Sequence, residues 1–299
     1  MSPTLPRRVA ILVHARDVRP ERRPYQIWGI ADVWRSWGIQ VVVSRGIARA
    51  IDADVVVNHV DLTVVPEPYV QFMARYPVAI NGRCTDISKR TVSTNLVRPG
   101  DAWAGPVIVK TDRNHGGRPE RRLGWGRIGL LLSADTWRPR ARWRTRSMLM
   151  PNDYPIFTSL EEVPRDVWRN PALVVERFLP ERDGDLFVVR TMALFGDRWI
   201  NRRRLSASPI VKARHVIRAE EVEPHPGAFE AAKRLGLDRG KIDYVVQDGR
   251  AVVFDVNRTN TMAAFTRTHR LQACRRLAEG LLEFWPPARD ARVGERGST

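Results

Sequence analysis

The sequence is poor in cysteine, with only Cys84 and Cys274 among 299 residues. That excludes a disulfide framework and a CxxC metal site, and leads to the expectation of a cytoplasmic protein. Long apolar runs are missing too. A membrane-spanning helix needs about 20 apolar residues, and no segment approaches that, so no membrane span is expected. Near the N-terminus a basic pair precedes "VAILV", which imitates a secretion signal. The run falls short of the roughly 7–15 residues of a signal core and reads as a first β-strand. A GxGxxG fingerprint is lacking, so dinucleotide binding has no support, and no internal repeat is present. Carboxylates are scarce beside cations, with 33 Asp and Glu against 50 Lys and Arg, for a net charge of +17. Such an excess can serve nucleic acid or anionic lipid. Here the cations are spread along the chain, with local runs at 138–146 and 201–204 and no interleaved aromatics and glycines. An arginine-rich composition with a polyanionic substrate such as a nucleotide explains the charge better than nucleic acid does.

What is present is an alternation of strands and helices. "RRVAILVHA" reads as a strand, "PYQIWGIADVWRSWG" as an amphipathic helix, and "IQVVVSR", "ADVVVNHVD" and "YPVAIN" as further strands. Strands alternating with helices predict a small doubly wound, Rossmann-like α/β domain over residues 1–85. Beyond it "PVIVK" is a strand and "NHGG" a turn. "SLEEVPRDVWRN" predicts a short helix with Ser159 and Glu162 as a capping box. "DLFVVRTMALFGDRWINRRR" predicts a hairpin about Gly196-Asp197, and "KIDYVVQDGRAVVFDVN" a second hairpin turned at Asp248-Gly249. "GAFEAAKRLGL" is a helix ending near Gly236, and "THRLQACRRLAEGLLEFW" one amphipathic helix. Residues 286–299 lack apolar groups to bury and read as a disordered tail.

The second hairpin carries the chemistry. Asp255 and Asn257 are two apart on one strand and share a face. The tight turn brings Asp243 across from them. Two carboxylates and an amide oxygen are hard donors of the kind Mg²⁺ takes alongside substrate phosphates. Any one of them alone would be an ordinary solvated residue; three in paired strands point to a metal. A nucleotide then needs cations and backbone donors elsewhere. Lys110 ends the strand "PVIVK", and Gly116-Gly117 follows, a turn able to fold over phosphates with its N–H groups inward. His115 stands beside it. In "VVERFLPE", Glu176, the backbone of Arg177, Phe178 and Leu179, and the acid Glu181 suit an adenine edge and ribose hydroxyls.

Strand-Lys-then-Gly-Gly, "ERFLPE", "D..VVR..ALFG" and "ID…FDVN", taken in this order, resemble the ATP-grasp superfamily, and within it the ribosomal-protein glutamate ligase and glutathione synthetase branch. The resemblance spans about residues 80–265. It implies an ATP-grasp fold, α/β with α+β parts, preceded by the small α/β domain. Residues 86–180 would form a central subdomain with the phosphate loop, and 181–285 a C-terminal subdomain with the metal site. Lys89 and Lys110 match the family's two ATP lysines, and Glu176 through Leu179 its adenine hinge. Asp185, or alternatively Glu181, matches the ribose acid. Arg190 and Arg203 fall where the family places catalytic cations. Asp243, Asp255 and Asn257 match the magnesium ligands. The implied cofactors are ATP and Mg²⁺. The implied activity is ligation, with a small-molecule or peptide carboxylate activated as an acyl phosphate and joined to an amine or thiol. A homodimer is compatible with it.

The sequence also departs from the family. Aspartate stands at 255 where glutamate is usual. The phosphate loop carries Arg118-Pro119, and the interval from Lys89 to Lys110 is short. "RTNTM" after Asn257 lacks the usual Pro-Gly. That loop faces the acceptor in relatives, which implies an unusual acceptor here. Two other readings stay open: a small-molecule kinase using the same ATP site, and a non-catalytic basic protein binding nucleic acid or an anionic polymer. His14 and His59 read as structural, the two cysteines as packed thiols, and Trp125 and Trp137 as possible substrate covers.

Overall fold

The structure, a computed structural model, describes residues 5–124, 142–147, 149, 154–262 and 267–285. Trp125, Trp137 and the tail lie outside them. The first sheet is parallel, in the order β2-β1-β3-β4, from β1 (Arg8–Val13), β2 (Gln40–Arg45), β3 (Val55–Asn58) and β4 (Val78–Ile80). Residues 9–13 of β1 are all buried because both faces are covered. Val9, Ile11 and Val13 pack with Ile27, Ile30 and Trp34 of α1 (Gln26–Ser36). Ala10 and Leu12 pack with Tyr69, Phe72 and Met73 of α2 (Glu67–Met73) on the other side. A strand inside a doubly covered parallel sheet reads as an unbroken apolar run for this reason.

A second, antiparallel sheet has the order β6-β5-β7, from β5 (Val107–Thr111), β6 (Ile156–Phe157) and β7 (Leu173–Arg177). It is accompanied by α3 (Lys89–Val92), the 3-10 turn Asn114–Gly117, α4 (Arg118–Gly124) and α5 (Arg165–Trp168). The capping box expected at Ser159 is not the one formed. Glu162 accepts from the N–H and hydroxyl of Thr158 at 3.0 and 2.6 Å, and the helix starts only after Pro164, at Arg165. The residue before a proline is pushed away from helical backbone, which delays the start.

The third sheet has the order β11-β10-β9-β12-β13, with β8 beside β9. Its strands are β8 (Glu181–Asp183), β9 (Leu186–Phe195), β10 (Arg198–Ser206), β11 (Arg218–Glu221), β12 (Arg239–Gln247) and β13 (Arg250–Asn257). Asp248 and Gly249 take φ 49° and 71°, the left-handed pair that a two-residue hairpin requires. One face of this sheet packs Met192, Ile242, Tyr244, Val253 and Val256 against α6 (Pro226–Leu235). The opposite face looks toward the second sheet.

The C-terminal helix is two helices, α7 (Arg267–Ala278) and α8 (Leu281–Phe284), broken at Gly280. Glycine is required at the break: a Cβ on Gly280 would lie 1.9 Å from the Phe195 carbonyl oxygen. These helices share their core with the first sheet, and the Trp34 indole donates to the Ala278 carbonyl at 3.0 Å. None of the helices among the described residues is long and apolar enough to cross a membrane.

Candidate functional site

Between the second and third sheets lies a cavity of about 430 Å³. Its apolar walls include Ile108, Phe178, Leu179, Val188, Val245, Val252 and Phe254. Its polar lining includes Lys89, Lys110, Glu176, Arg204, Lys212, Lys241, Asp243 and Asp255. The antiparallel register of β12 and β13 sets Asp243 directly opposite Asp255. A bulge follows: Tyr244 pairs with Val253, so Phe254 is left over. Phe254 and Asp255 are thereby both turned to the cavity although adjacent in sequence, while Val253 and Val256 stay in the core.

Each acid has its own cation. Asp255 is bonded by the ammonium of Lys89, from the first residue of α3. Asp243 accepts from Lys241 at 2.6 Å and from the Thr191 hydroxyl at 2.8 Å. Burial alone would raise the Asp255 carboxyl, but Lys89 and Lys241 outweigh it and hold it below the usual carboxylate range. Burial alone would lower Lys89, and its acidic surroundings, Asp255 first, keep it above the ordinary lysine value. Lys110 reaches Glu176 at 2.7 Å and stands 4.7 Å over the Phe254 ring. Both members of that pair are buried, and the second oxygen of Glu176, Oε1, is buried with no hydrogen-bond partner. A buried carboxylate oxygen left open beside an apolar slot is a natural acceptor for an incoming donor.

The glycine turn shows Asn114 and His115 to the cavity, while Gly116 and Gly117 lie behind them, buried. His115 joins the two glycines in positive φ, at 47° against 66° and 75°. That backbone is costly for a residue with a Cβ, and it clusters at ligand-clamping loops. The His115 ring contacts the Asn257 amide nitrogen at 3.0 Å, and burial keeps its pKa below the usual value. Asn257 is buried, its oxygen accepting from the Thr259 N–H at 2.9 Å, and it does not line the cavity.

Several expected residues lie elsewhere. Arg190 and Arg203 are paired neighbours on the far face of the third sheet. Arg190 is bound by Glu181 at 2.7 Å, and Arg203 by Glu220 and Asp183 at 2.8 and 2.9 Å. Strand alternation puts Arg204, one residue on, into the cavity instead. Glu181 also accepts the Val246 N–H at 2.7 Å, so it ties β8 to β12 and does not line the cavity. Asp185 is exposed in the β8–β9 turn, away from the cavity. The Arg177 side chain turns onto Trp103, its backbone is bonded to Asn95, and the Phe178 N–H donates to the Pro106 carbonyl at 2.9 Å, which leaves the Phe178 carbonyl and the Leu179 backbone for a base edge. Tyr154, Arg204, Lys212 and Lys241 line the cavity and were not singled out by sequence. Lys241 had a signal, standing two residues before Asp243 on the same strand.

Three residues of the "RTNT" segment bond the N-terminal unit. Arg258 donates to the carbonyls of Leu62 and Cys84 at 2.6 and 2.8 Å, Asn260 donates to Gln26 at 3.0 Å, and Thr259 bonds Asp61. It fastens the end of β13 to the first 85 residues, and of its four residues Thr261 lines the cavity.

No protein-family model matches the sequence, and no curated protein matches it. Solved structures do. The ATP-grasp ligase PsnB complexed with its minimal precursor superposes with a TM-score of 0.50 at 13% identity, over 93% of this chain and 99% of that one. This chain has the ATP-grasp fold. Also similar are the D-alanine–D-alanine ligase of Bacillus anthracis complexed with ATP, at TM-score 0.48 and 13% identity over 94% and 97% of the two chains, and a RimK domain ATP-grasp protein from Sphaerobacter thermophilus, at 0.47 and 13% over 91% and 98%.

The donor set of this ATP-grasp cavity fits Mg²⁺. Asp243 and Asp255 are hard oxygen donors facing one another, and each carboxylate accepts more bonds than the cations now use. Among the described residues no group of three His, Cys, Asp or Glu forms a complete metal cage. Two carboxylates completed by phosphate oxygens and water are the usual setting for Mg²⁺.

Proposed function

We propose that the protein is an ATP-dependent ligase that activates a carboxylate as an acyl phosphate and joins it to an amine or thiol. The observation that carries this reading is one cavity holding two lysine–carboxylate pairs, Lys89–Asp255 and Lys110–Glu176, against an apolar slot. The slot between Ile108, Phe178, Leu179 and Val245 suits adenine, with Oε1 of Glu176 accepting from its amino group. Lys89, Lys110, Lys212 and Lys241 suit the phosphates.

Mg²⁺ held by Asp243 and Asp255 would neutralise charge on the β- and γ-phosphates. A carboxylate oxygen attacks the γ-phosphorus and the bond to the ADP oxygen breaks. The amine or thiol then attacks the acyl carbon, inorganic phosphate leaves, and the nucleophile loses its proton to solvent. No side chain forms a covalent bond. The lysines hold the reacting groups in line and match the negative charge that develops. PsnB is a ligase complexed with its precursor, which makes peptide carboxylates first in a substrate screen.

The test is a product assay with Mg·ATP and panels of carboxylates and amines. An amide or thioester formed with ADP and phosphate supports the ligase. A stable phosphorylated product would replace it with the kinase reading, and no nucleotide binding at all would remove both.

A further inference from the structure

Among the described residues, none from 5 to 85 lines the cavity. Yet a buried acid of that unit, Asp61, is bonded to three segments that build the site's surroundings. It accepts from the Tyr25 hydroxyl at 2.7 Å, from Nη2 of Arg122 at 2.7 Å and from the Thr259 hydroxyl at 2.5 Å. Tyr25 immediately precedes α1, Arg122 is on α4 directly after the glycine turn, and Thr259 is two residues past Asn257.

The residues beside Asp61 grip the same two segments. The Thr63 N–H donates to Glu120 of α4 at 2.7 Å, and the Thr63 hydroxyl accepts the Asn114 N–H at 2.9 Å. The Leu62 carbonyl accepts from Arg258 at 2.6 Å. The loop 61–63 therefore holds the glycine turn at its start and at its following helix, and holds the end of β13 as well. Arg122 also lies 3.6 Å from Asp17, whose two oxygens make no hydrogen bond, so Asp61 is its close partner. Burial would push Asp61 up, but the Thr259 and Tyr25 hydroxyls and Arg122 bring it below the usual value, so it stays charged.

We infer that Asp61 is a positioning residue that fixes the phosphate loop against the metal-bearing strand. The register of His115 with Asn257, and of Lys89 with Asp255, then depends on an acid that never touches the nucleotide. The geometric link stands by itself; its purpose rests on reading Asn114–Gly124 as the phosphate loop.

The experiment uses the full chain with Arg122→Gln, Arg122→Lys, Thr259→Val and Asp61→Asn. Hydrogen exchange without nucleotide should show amides of residues 114–124 exchanging about tenfold faster in Arg122→Gln, the loss expected of one charged hydrogen bond. Exchange in β5 and β12 should hold, while the melting temperature falls modestly because buried Asp61 keeps the Tyr25 and Thr259 hydroxyls but loses its cation. Calorimetry with a non-hydrolysable Mg·ATP analogue should show a similar loss of affinity, partly recovered in Arg122→Lys. The double variant Asp61→Asn/Arg122→Gln should be no worse than the poorer single one. Unchanged exchange and affinity in Arg122→Gln overturn the inference. Arg122 is half-exposed, so its variants carry the test even where Asp61→Asn does not fold. Should the wild type bind no Mg·ATP, the nucleotide reading fails, and the exchange data still judge the link.

Discussion

Lys89 and Asp255 lie 166 residues apart and are joined ammonium to carboxylate on the cavity side of β13. Lys89 is buried, whereas Asp255 opens partly on the cavity. One side of the pair is a phosphate lysine and the other a metal ligand in the proposed reaction, so each neutralises the other until Mg·ATP arrives. Asp255→Asn leaves a buried ammonium without its partner. It should cost about 2 kcal/mol, less than a fully enclosed pair because of the open side. Lys89→Met in the same chain should restore much of that stability and none of the nucleotide binding. Urea unfolding and calorimetry of the two single variants and the double separate these roles. Binding of Mg·ATP by the double variant with wild-type affinity would remove both residues from the site.

Glu176 offers a different handle. Oε2 is held by Lys110, while Oε1 is buried and open toward the slot. An acceptor fixed there favours adenine, which presents an amino donor, over guanine, which presents a carbonyl. Glu176→Gln turns one position into a donor and should narrow the ATP-over-GTP preference by about tenfold, the worth of one hydrogen bond to a charged group. Competition binding with the two nucleotides reads this directly. An unchanged ratio places the base elsewhere.

Much of this arrangement was legible in the sequence, for local reasons. The Asp-Gly turn fixes the β12–β13 hairpin and brings Asp243 near Asp255; counting from the turn sets Asp243 opposite Phe254, and the bulge that shifts it to Asp255 has no local signal. The lysine ending an apolar strand points to Lys110. Arg190 and Arg203 were misplaced by one strand position. In "NRRR" the period of two says that neighbours alternate, but nothing local says which of them faces the ligand, and Arg204 does. Tyr154 and Lys212 reach the cavity from loops, where no periodicity marks them. The anchoring of "RTNT" has no local signal, because its partners, Gln26, Asp61, Leu62 and Cys84, are close only in the folded chain.

Gly280 tests the fold apart from the site. Its φ of −61° suits any residue, so only crowding excludes a side chain. A Cβ there would fall 1.9 Å from the Phe195 carbonyl oxygen. Gly280→Ala must push α7 and α8 off the β9–β10 turn, and should cost about 1–3 kcal/mol, the usual range for overpacking. Denaturant unfolding measures it, and nucleotide affinity of the folded fraction should be preserved. Full stability would mean that the two helices approach the turn less closely.

His59 ties stability to pH. It sits just past β3, fully buried, edge-on to the Tyr25 and Trp28 rings, with neither ring nitrogen hydrogen-bonded. Burial, then Arg239, with Asp61 opposing and Arg258 adding, lowers its pKa from 6.5 to about 3. Below pH 6.5 the unfolded chain takes up a proton that the folded protein refuses until about pH 3. The unfolded state is then the better proton binder, so stability falls as pH falls through this window, by at most about 1.4 kcal/mol per pH unit. The depressed carboxyls of Asp61 and Asp255 act in a lower window. Their contribution is present above the unfolded aspartate value of 3.8 and is lost below it. Measurements between about pH 7.5 and about pH 5 exclude those two carboxyls; His14 and His115, also lowered by burial, act in the same window, so His59 is read from the difference between wild type and a His59 variant. His59→Phe keeps a ring against Tyr25 and Trp28 and removes the titration. Its unfolding free energy should change distinctly less than the wild type's across that range. Equal slopes in the two proteins would mean that His59 takes up its proton in the folded state as readily as in the unfolded one.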